Sequence, residues 1–377
     1  MAEPFKNHFN KAMITGMAGH FQHQWAAFDA DAFVATASND LESLELKARS
    51  QQIEQAMLRY MPDDFAQAGE IMRASLAPAL NGDIFGQSVN EAGIAGWAIM
   101  PMADYVGLYG QSHFNLSMSL LKTFTSRFSS EFGIRFFLLQ QPKQTLAVLK
   151  QWTGDVDRHV RRLASEGSRP RLPWAMQLPA LIADPTPVVE LLELLKDDEN
   201  AYVRRSVANH LNDIAKDHPS LVIDIAARWM QGAGKARQAL LRHACRTLIK
   251  QGDRRVLQLF GFHPPLLAPV SLELQTPNVV LGSALQFSII IRSNAAHEQA
   301  LMVDYIIHHR RANGNTSPKV FKWRKLALQA KASRGFTKNH AIRPITTRVY
   351  YPGLHRLEVV VNGVSLATVG FQLLMPD

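Results

Sequence analysis

The chain has 377 residues, 47% apolar and 19% charged, enough for two or three independent cores and too hydrophobic for a disordered polymer. Forty-one Lys and Arg against 32 Asp and Glu leave a net charge of +9, which points to a polyanionic partner such as nucleic acid or an anionic membrane surface. The single cysteine, Cys245, excludes a disulfide framework and a multi-cysteine zinc site, so a reducing compartment, the cytoplasm, is expected.

Residues Met1 to His20 interleave Glu3, Lys6, His8 and Lys11 with apolar residues and lack the continuous apolar core of a secretory signal. The longest uncharged stretches, Tyr105 to Leu121 and Leu274 to Ile291, carry Gly, Gln, Asn, Ser or Pro, so no membrane span is expected. Gly86 to Gly110 holds five glycines and reads as irregular packing between the N-terminal helices and a set of helical repeats. In those repeats Val160-Arg161-Arg162 recurs as Val203-Arg204-Arg205 and, more loosely, as Leu240-Leu241-Arg242, at spacings of 43 and 37 residues. Such periods match HEAT-like helix pairs, which bury one stripe against their neighbours and curve into a groove. Val203, Val207, Leu211 and Ile214 supply the stripe, and Asp197-Asp198-Glu199-Asn200 supplies acids and a cap at the helix start.

His263-Pro264-Pro265 is the expected linker. Beyond it the apolar runs shorten: Leu281 to Ile291, Met302 to His308, Lys319 to Trp323, Thr347 to Tyr351 and Leu357 to Val361. Asn313-Gly314 and Asn362-Gly363 between them are hairpin signals, because a type I′ turn needs positive φ at both central residues. The predicted architecture is a helical solenoid over residues 1–262 and a β-sandwich of five to seven strands over 268–377. The charge divides at the same place. Residues 268–377 hold 13 basic and 5 acidic residues, and Arg310 to Arg348 contains no acid, whereas the helical part is nearly neutral.

Absences narrow the chemistry. There is no His-Glu-x-x-His, no Gly-x-Ser-x-Gly and no complete phosphate loop; Gly232-Ala233-Gly234-Lys235 reads as an inter-helix turn. His308-His309, His20 and His23 read as surface or packing residues, so neither a metal nor a cofactor is expected. On the helix from Ala201, Arg205, Asn209 and Asp213 form an i, i+4, i+8 row away from the apolar stripe, and Arg162 and Glu166 hold the equivalent positions one repeat earlier. Taken singly, Arg162 with Glu166, Glu131 with Arg135, and Asp213 with Lys216 are ordinary surface ion pairs, worth about 0.3–0.5 kcal/mol each. Three carboxylates, several arginines and Trp174, set in the broken segment Ser165 to Trp174, suit a cationic ligand better in aggregate.

Two stretches carry a specific resemblance. Arg161-Arg162-Leu163-Ala164-Ser165-Glu166-Gly167-Ser168-Arg169-Pro170-Arg171-Leu172-Pro173-Trp174 and Tyr202-Val203-Arg204-Arg205-Ser206-Val207-Ala208-Asn209-His210-Leu211-Asn212-Asp213 to Pro219 closely resemble the AlkC family of bacterial alkylpurine DNA glycosylases, HEAT-like enzymes related to AlkD. The likeness extends to Arg127 to Phe132 and to Lys319 to Trp323. It implies a C-terminal immunoglobulin-like domain and hydrolysis of the N-glycosidic bond of cationic bases, chiefly 3-methyladenine and 3-methylcytosine, in duplex DNA left largely stacked. It also implies that Glu131, Glu166 and Asp213 are active-site carboxylates, with Trp174 and Arg162 beside them. Asn209 stands where the AlkD pattern has a tryptophan. Arg162, Arg169, Arg171, Arg205 and Asn209 are then expected near DNA, with Lys319, Lys322, Arg324 and Lys325 gripping more of the duplex. A monomer with double-stranded alkylated DNA as partner is expected. The competing expectations are a non-catalytic HEAT adaptor with a binding module, and a two-carboxylate carbohydrate enzyme, which the basic tail disfavours.

Overall fold

The computed structural model describes residues 4–79, 82, 84 and 86–376; the termini Met1 to Glu3 and Asp377 lie outside the described residues. Among the described residues sixteen α-helices, from Lys11–Gln24 to Arg254–Leu259, precede eight strands, so the architecture is a helical repeat followed by a β-sandwich. Among the described residues no helix is long and apolar enough to cross a membrane.

By mutual packing the chain forms two compact units. One runs through His218 and takes in Gly234–Ala244; the other combines Pro219–Ala233 with the chain from Cys245 onward. The composition shift near residue 265 does not register that the helices Pro219–Met230, Arg246–Gln251 and Arg254–Leu259 belong to the same compact unit as the strands.

In the first unit the three repeated motifs fall on the helices Arg158–Glu166, Ala201–Ile214 and Lys235–Ala244, the middle one packed against both others. Val203, Val207, Leu211 and Ile214 are at most 1% exposed, and the Asn200 side chain accepts the Tyr202 amide at 2.9 Å, capping the helix. The acids beside that cap act less on the helix dipole than as anchors between repeats. Arg161 donates to both Asp198 oxygens at 2.6 and 3.1 Å, and Arg237 pairs with Asp197. Glu166 ends its helix, and Gly167 comes next because a Cβ there would lie 2.5 Å from Ile134 Cγ2.

In the second unit, strands β1 (Ser271–Leu274), β2 (Asn278–Val280), β3 (Ala284–Arg292), β4 (Gln299–Arg310), β5 (Thr316–Leu328), β6 (Ser333–Ala341), β7 (Gly353–Val361) and β8 (Val364–Leu374) form two sheets. Their orders are β1-β3-β6 and β2-β8-β7-β4-β5, antiparallel except for the β2 and β8 pair. Leu285, Phe287, Tyr305, Ile307, Leu357 and Phe371 fill the space between the sheets. The Asn362-Gly363 turn joins β7 to β8 with φ of 48° and 76°, as its sequence predicts. A Cβ on Gly363 would also lie 2.2 Å from the Gly252 carbonyl oxygen, so the turn is pressed against the helical part of this unit. Thr347 to Tyr351 is not a strand, whereas polar β6 is one: pairing with β3 along nine residues supplies what its hydrophobicity does not.

Candidate active site

The helix Arg158–Glu166 and the segment after it place the carboxylates, and Arg135 fixes that segment. Its guanidinium, fully buried, donates to the carbonyls of Gly167 at 2.9 Å, Arg169 at 2.7 Å and Met176 at 2.8 Å. The sequence paired Arg135 with Glu131 one helical turn away; instead the guanidinium ties down a loop that has no regular backbone bonding of its own. Burial, with Arg169 nearby, pushes it down to about 10. The loop is closed by the Leu178 amide on the Pro170 carbonyl at 3.1 Å and carries Trp174 at φ 64°. A left-handed non-glycine residue costs on the order of 1 kcal/mol and persists only where its surroundings hold it. Trp174 nonetheless remains 57% exposed, so it is not the core wedge that most tryptophans form.

Glu166 sits behind this loop, 5% exposed. Its Oε1 receives Arg169 at 2.6 Å and lies 3.4 Å from Arg162; its Oε2 accepts the Ser206 hydroxyl at 2.6 Å. Burial alone pushes this carboxyl up, but Arg162, Arg169 and Ser206 outweigh it and hold the group below its ordinary value. Arg162 bridges to Glu131 Oε2 at 2.8 Å and stacks 4.9 Å over the Tyr202 ring. Ser129 donates to the same Oε2 at 2.7 Å, so every hydrogen bond to Glu131 from the described residues falls on one oxygen and Oε1 takes none. Asp213, 2% exposed, has Arg169 on Oδ2 at 2.7 Å and Lys216 on Oδ1 at 2.8 Å.

The acids are therefore not a bare anionic cluster. Each is matched to a cation, and Arg162 and Arg169 are committed to carboxylates with side chains 12% and 7% exposed. Both were expected at phosphates, but here each is turned to carboxylates: burial disfavours the charged guanidiniums, and pairing with Glu166, with Glu131 for Arg162 and with Asp213 for Arg169, outweighs it and raises their affinity for their protons. The helical row also resolves differently. At 100° per residue an i+4 row drifts by about 40° per step, which leaves Asp213 about 80° from Arg205 and about 20° from Ser206. Asp213 and Ser206 accordingly turn toward Arg169 and Glu166, while Arg205 is exposed on a shallow groove shared with Ala236 and His243, and Asn209 meets His243 Nε2 at 2.9 Å. Arg171 is held in a two-bond fork by Asp217 at 2.8 Å.

Glu131, Glu166 and Arg169 form the polar part of a cleft of about 280 Å³ that also includes Ser129. Phe5, Trp97, Met100, Phe128, Phe132 and Trp174 make most of its apolar wall. The volume lies just below the usual range for small-molecule sites, about 300–1,000 Å³, and suits one ring system rather than an oligosaccharide. Asp213 does not line it and reaches it through Arg169. The sequence did not single out Ser206, Ser129, Tyr202 or the aromatics Phe5 and Trp97; the first three lie inside or beside the resembling motifs, but nothing local marks the last two. Among the described residues no group of three His, Cys, Asp or Glu could hold a metal ion.

In the second unit Lys319, Lys322, Arg324 and Lys325 are all exposed on β5, an edge strand. They do not form one face. The register shifts opposite Trp323, between Val303 and Asp304. Lys322 and Lys325 stand over Asp304 and Phe262, and Arg324 turns to the Phe336 ring of the other sheet at 4.9 Å.

A family model described as the C-terminal immunoglobulin-like domain of uncharacterised protein YhaZ matches residues 269–375. Over 98% of its length the chain is 35% identical to 99% of the uncharacterised protein YhaZ of Bacillus subtilis. It superposes on the Pseudomonas fluorescens alkylpurine DNA glycosylase AlkC, solved bound to DNA containing an abasic site analogue, with a TM-score of 0.84 and 37% identity, covering 99% of this chain and all of that one. Full-length similarity of sequence and of fold places the chain in the AlkC family.

Proposed function

We propose that the protein is a DNA glycosylase of alkylation repair that hydrolyses the N-glycosidic bond of cationic alkylated bases, 3-methyladenine and 3-methylcytosine, in duplex DNA. The observation that carries this reading is the cleft in which exposed Trp174 faces Glu131 and Glu166. Alkylation gives the base a positive charge. When the bond from C1′ to nitrogen breaks, its electron pair leaves with the base and neutralises that charge, so little general-acid help is needed. Positive charge then grows on the sugar. Carboxylates fixed by arginines and serines stabilise it without reorganising, a contribution of roughly 2.7–4 kcal/mol per comparable preorganised group. A water adds to C1′ and gives up a proton, and Glu131 Oε1, with no hydrogen bond from the described residues, is the acceptor that can orient it. Asp213 serves as a positioning residue: it holds Arg169, and Arg169 holds Glu166.

In this reading residues 1–262 carry catalysis and 268–377 add backbone grip through Lys319 and Arg324 above all. Of the arginines expected near DNA in the helical part, Arg205, which is exposed, and Arg171, whose fork to Asp217 is outside the buried network, are the ones that would meet phosphates. An adaptor has no use for buried, cross-linked carboxylates beneath a strained, exposed tryptophan. The test is release of methylated bases from alkylated duplex DNA by the wild type and by Glu166→Gln, with a loss of about 10²–10³-fold in the variant. No release by the wild type overturns the function; an undiminished variant overturns the mechanism.

A further inference from the structure

The helix Ala201–Ile214 offers no aromatic wall to a ligand, since Asn209 is turned to His243. A wall is present from another part of the chain. Trp174 meets Phe5 at 5.9 Å between ring centroids, Phe5 meets Trp97 at 5.6 Å, and Trp97 meets Phe128 at 5.0 Å. All four line the cleft that holds Glu131 and Glu166. Resting on the glycosylase reading, we propose that Phe5, with Trp97, completes an aromatic arc that recognises the positive charge of the alkylated base and makes Phe5 a specificity-determining residue.

Phe5 is 55% exposed, and an aromatic with over half its surface in water contributes little to folding. Its position is nevertheless fixed. The short turn Phe5–His8 is anchored by Arg49, which donates to the carbonyls of Lys6 at 3.1 Å and Phe9 at 2.9 Å, and by Phe9, which is fully buried edge-on to Trp97 at 5.8 Å. His8 stacks on Trp97 at 5.3 Å and 6°. The backbone is thus held from below while the Phe5 ring projects into the cleft opposite the left-handed Trp174. Ring faces carry negative potential and attract a cation within about 6 Å. The cleft also offers Glu131 and Glu166 against one lining guanidinium, Arg169, while Arg162 lies outside the lining; two carboxylates, one of them with an oxygen that takes no hydrogen bond from the described residues, and the ring faces favour a planar cation over the neutral base of the same shape.

The test uses the full chain and two free bases, permanently charged 3,9-dimethyladeninium and neutral 9-methyladenine, titrated against tryptophan fluorescence. The wild type is expected to bind the cation at least about 10-fold more tightly than the neutral base, and Phe5→Leu, which keeps apolar bulk but has no ring, to lose about 2- to 30-fold of the cation affinity alone. Phe5→Tyr should retain it. Equal binding of the two bases by the wild type, or an unchanged preference in Phe5→Leu, overturns the proposal. Base release from alkylated duplex separates the two readings. A wild type that prefers the cation yet releases nothing removes the glycosylase reading and leaves the cation site standing. Release that proceeds equally in Phe5→Leu, with its preference unchanged, removes the aromatic arc and leaves the glycosylase.

Discussion

Ser206→Ala isolates the support of Glu166 without touching its charge. The Ser206 hydroxyl lies 2.6 Å from Glu166 Oε2 and 2.9 Å from Ser165 Oγ, and with one proton to give it donates to the carboxylate. A hydrogen bond to a charged group contributes about 1.5–3 kcal/mol, and little water can replace it at a residue 2% exposed beside a carboxylate 5% exposed. At about 2–4 °C per kcal/mol for a unit of this size, the melting transition at pH 7 should fall by about 3–12 °C. The pH dependence has a definite sign. Glu166 is held below its ordinary value despite burial, by Arg162, Arg169 and Ser206. Its ionised form therefore stabilises the fold above the unfolded value of about 4.3, and that contribution is lost as pH falls through the lower folded value. Removing the donor raises the folded value, so the variant protonates first on acidification. Single-turnover base release followed from neutral to acid pH should show the acid limb displaced upward in Ser206→Ala. Superposable profiles and an unchanged melting point would refute the assignment of Ser206 to Glu166.

Asp213→Ala strands Arg169 with half its buried partners and should destabilise the protein by about 3–5 kcal/mol, read as a lower denaturant midpoint; an unchanged midpoint removes the positioning role. Arg135→Met deletes the donors to Gly167, Arg169 and Met176, and should expose the 167–178 loop to proteolysis and shift Trp174 emission, whereas a resistant loop would show that Arg135 does not brace it. Lys319→Gln and Arg324→Gln should each reduce the salt slope of duplex binding by about 0.9, with a smaller effect of Lys322→Gln because Asp304 already neutralises that lysine. A slope unchanged from the wild type in all three variants would remove β5 from the DNA contact.

Much of the fold was legible locally. The stripe Val203, Val207, Leu211 and Ile214, the cap Asn200 and the turn Asn362-Gly363 each depend on a few neighbouring residues, and each behaves as its chemistry dictates. Strand β6 was not legible, because its polar sequence becomes a strand only beside β3. Nor was the grouping of residues 219–233 and 245–262 in one compact unit with the strands, since composition changes only near residue 265.

The site divides in the same way. Residue type and repeat spacing by themselves gathered three carboxylates, several arginines and Trp174 as candidates, and the resemblance along the chain implied their roles as a site. Only the tertiary structure decided their partners. Arg135 passed over Glu131 for three loop carbonyls, Arg162 and Arg169 took carboxylates from other segments, and Phe5 reached the cleft from the far end of the helical unit. The physical reason is that a buried charge must find a partner wherever the fold brings one within about 3 Å, and sequence distance does not enter that requirement.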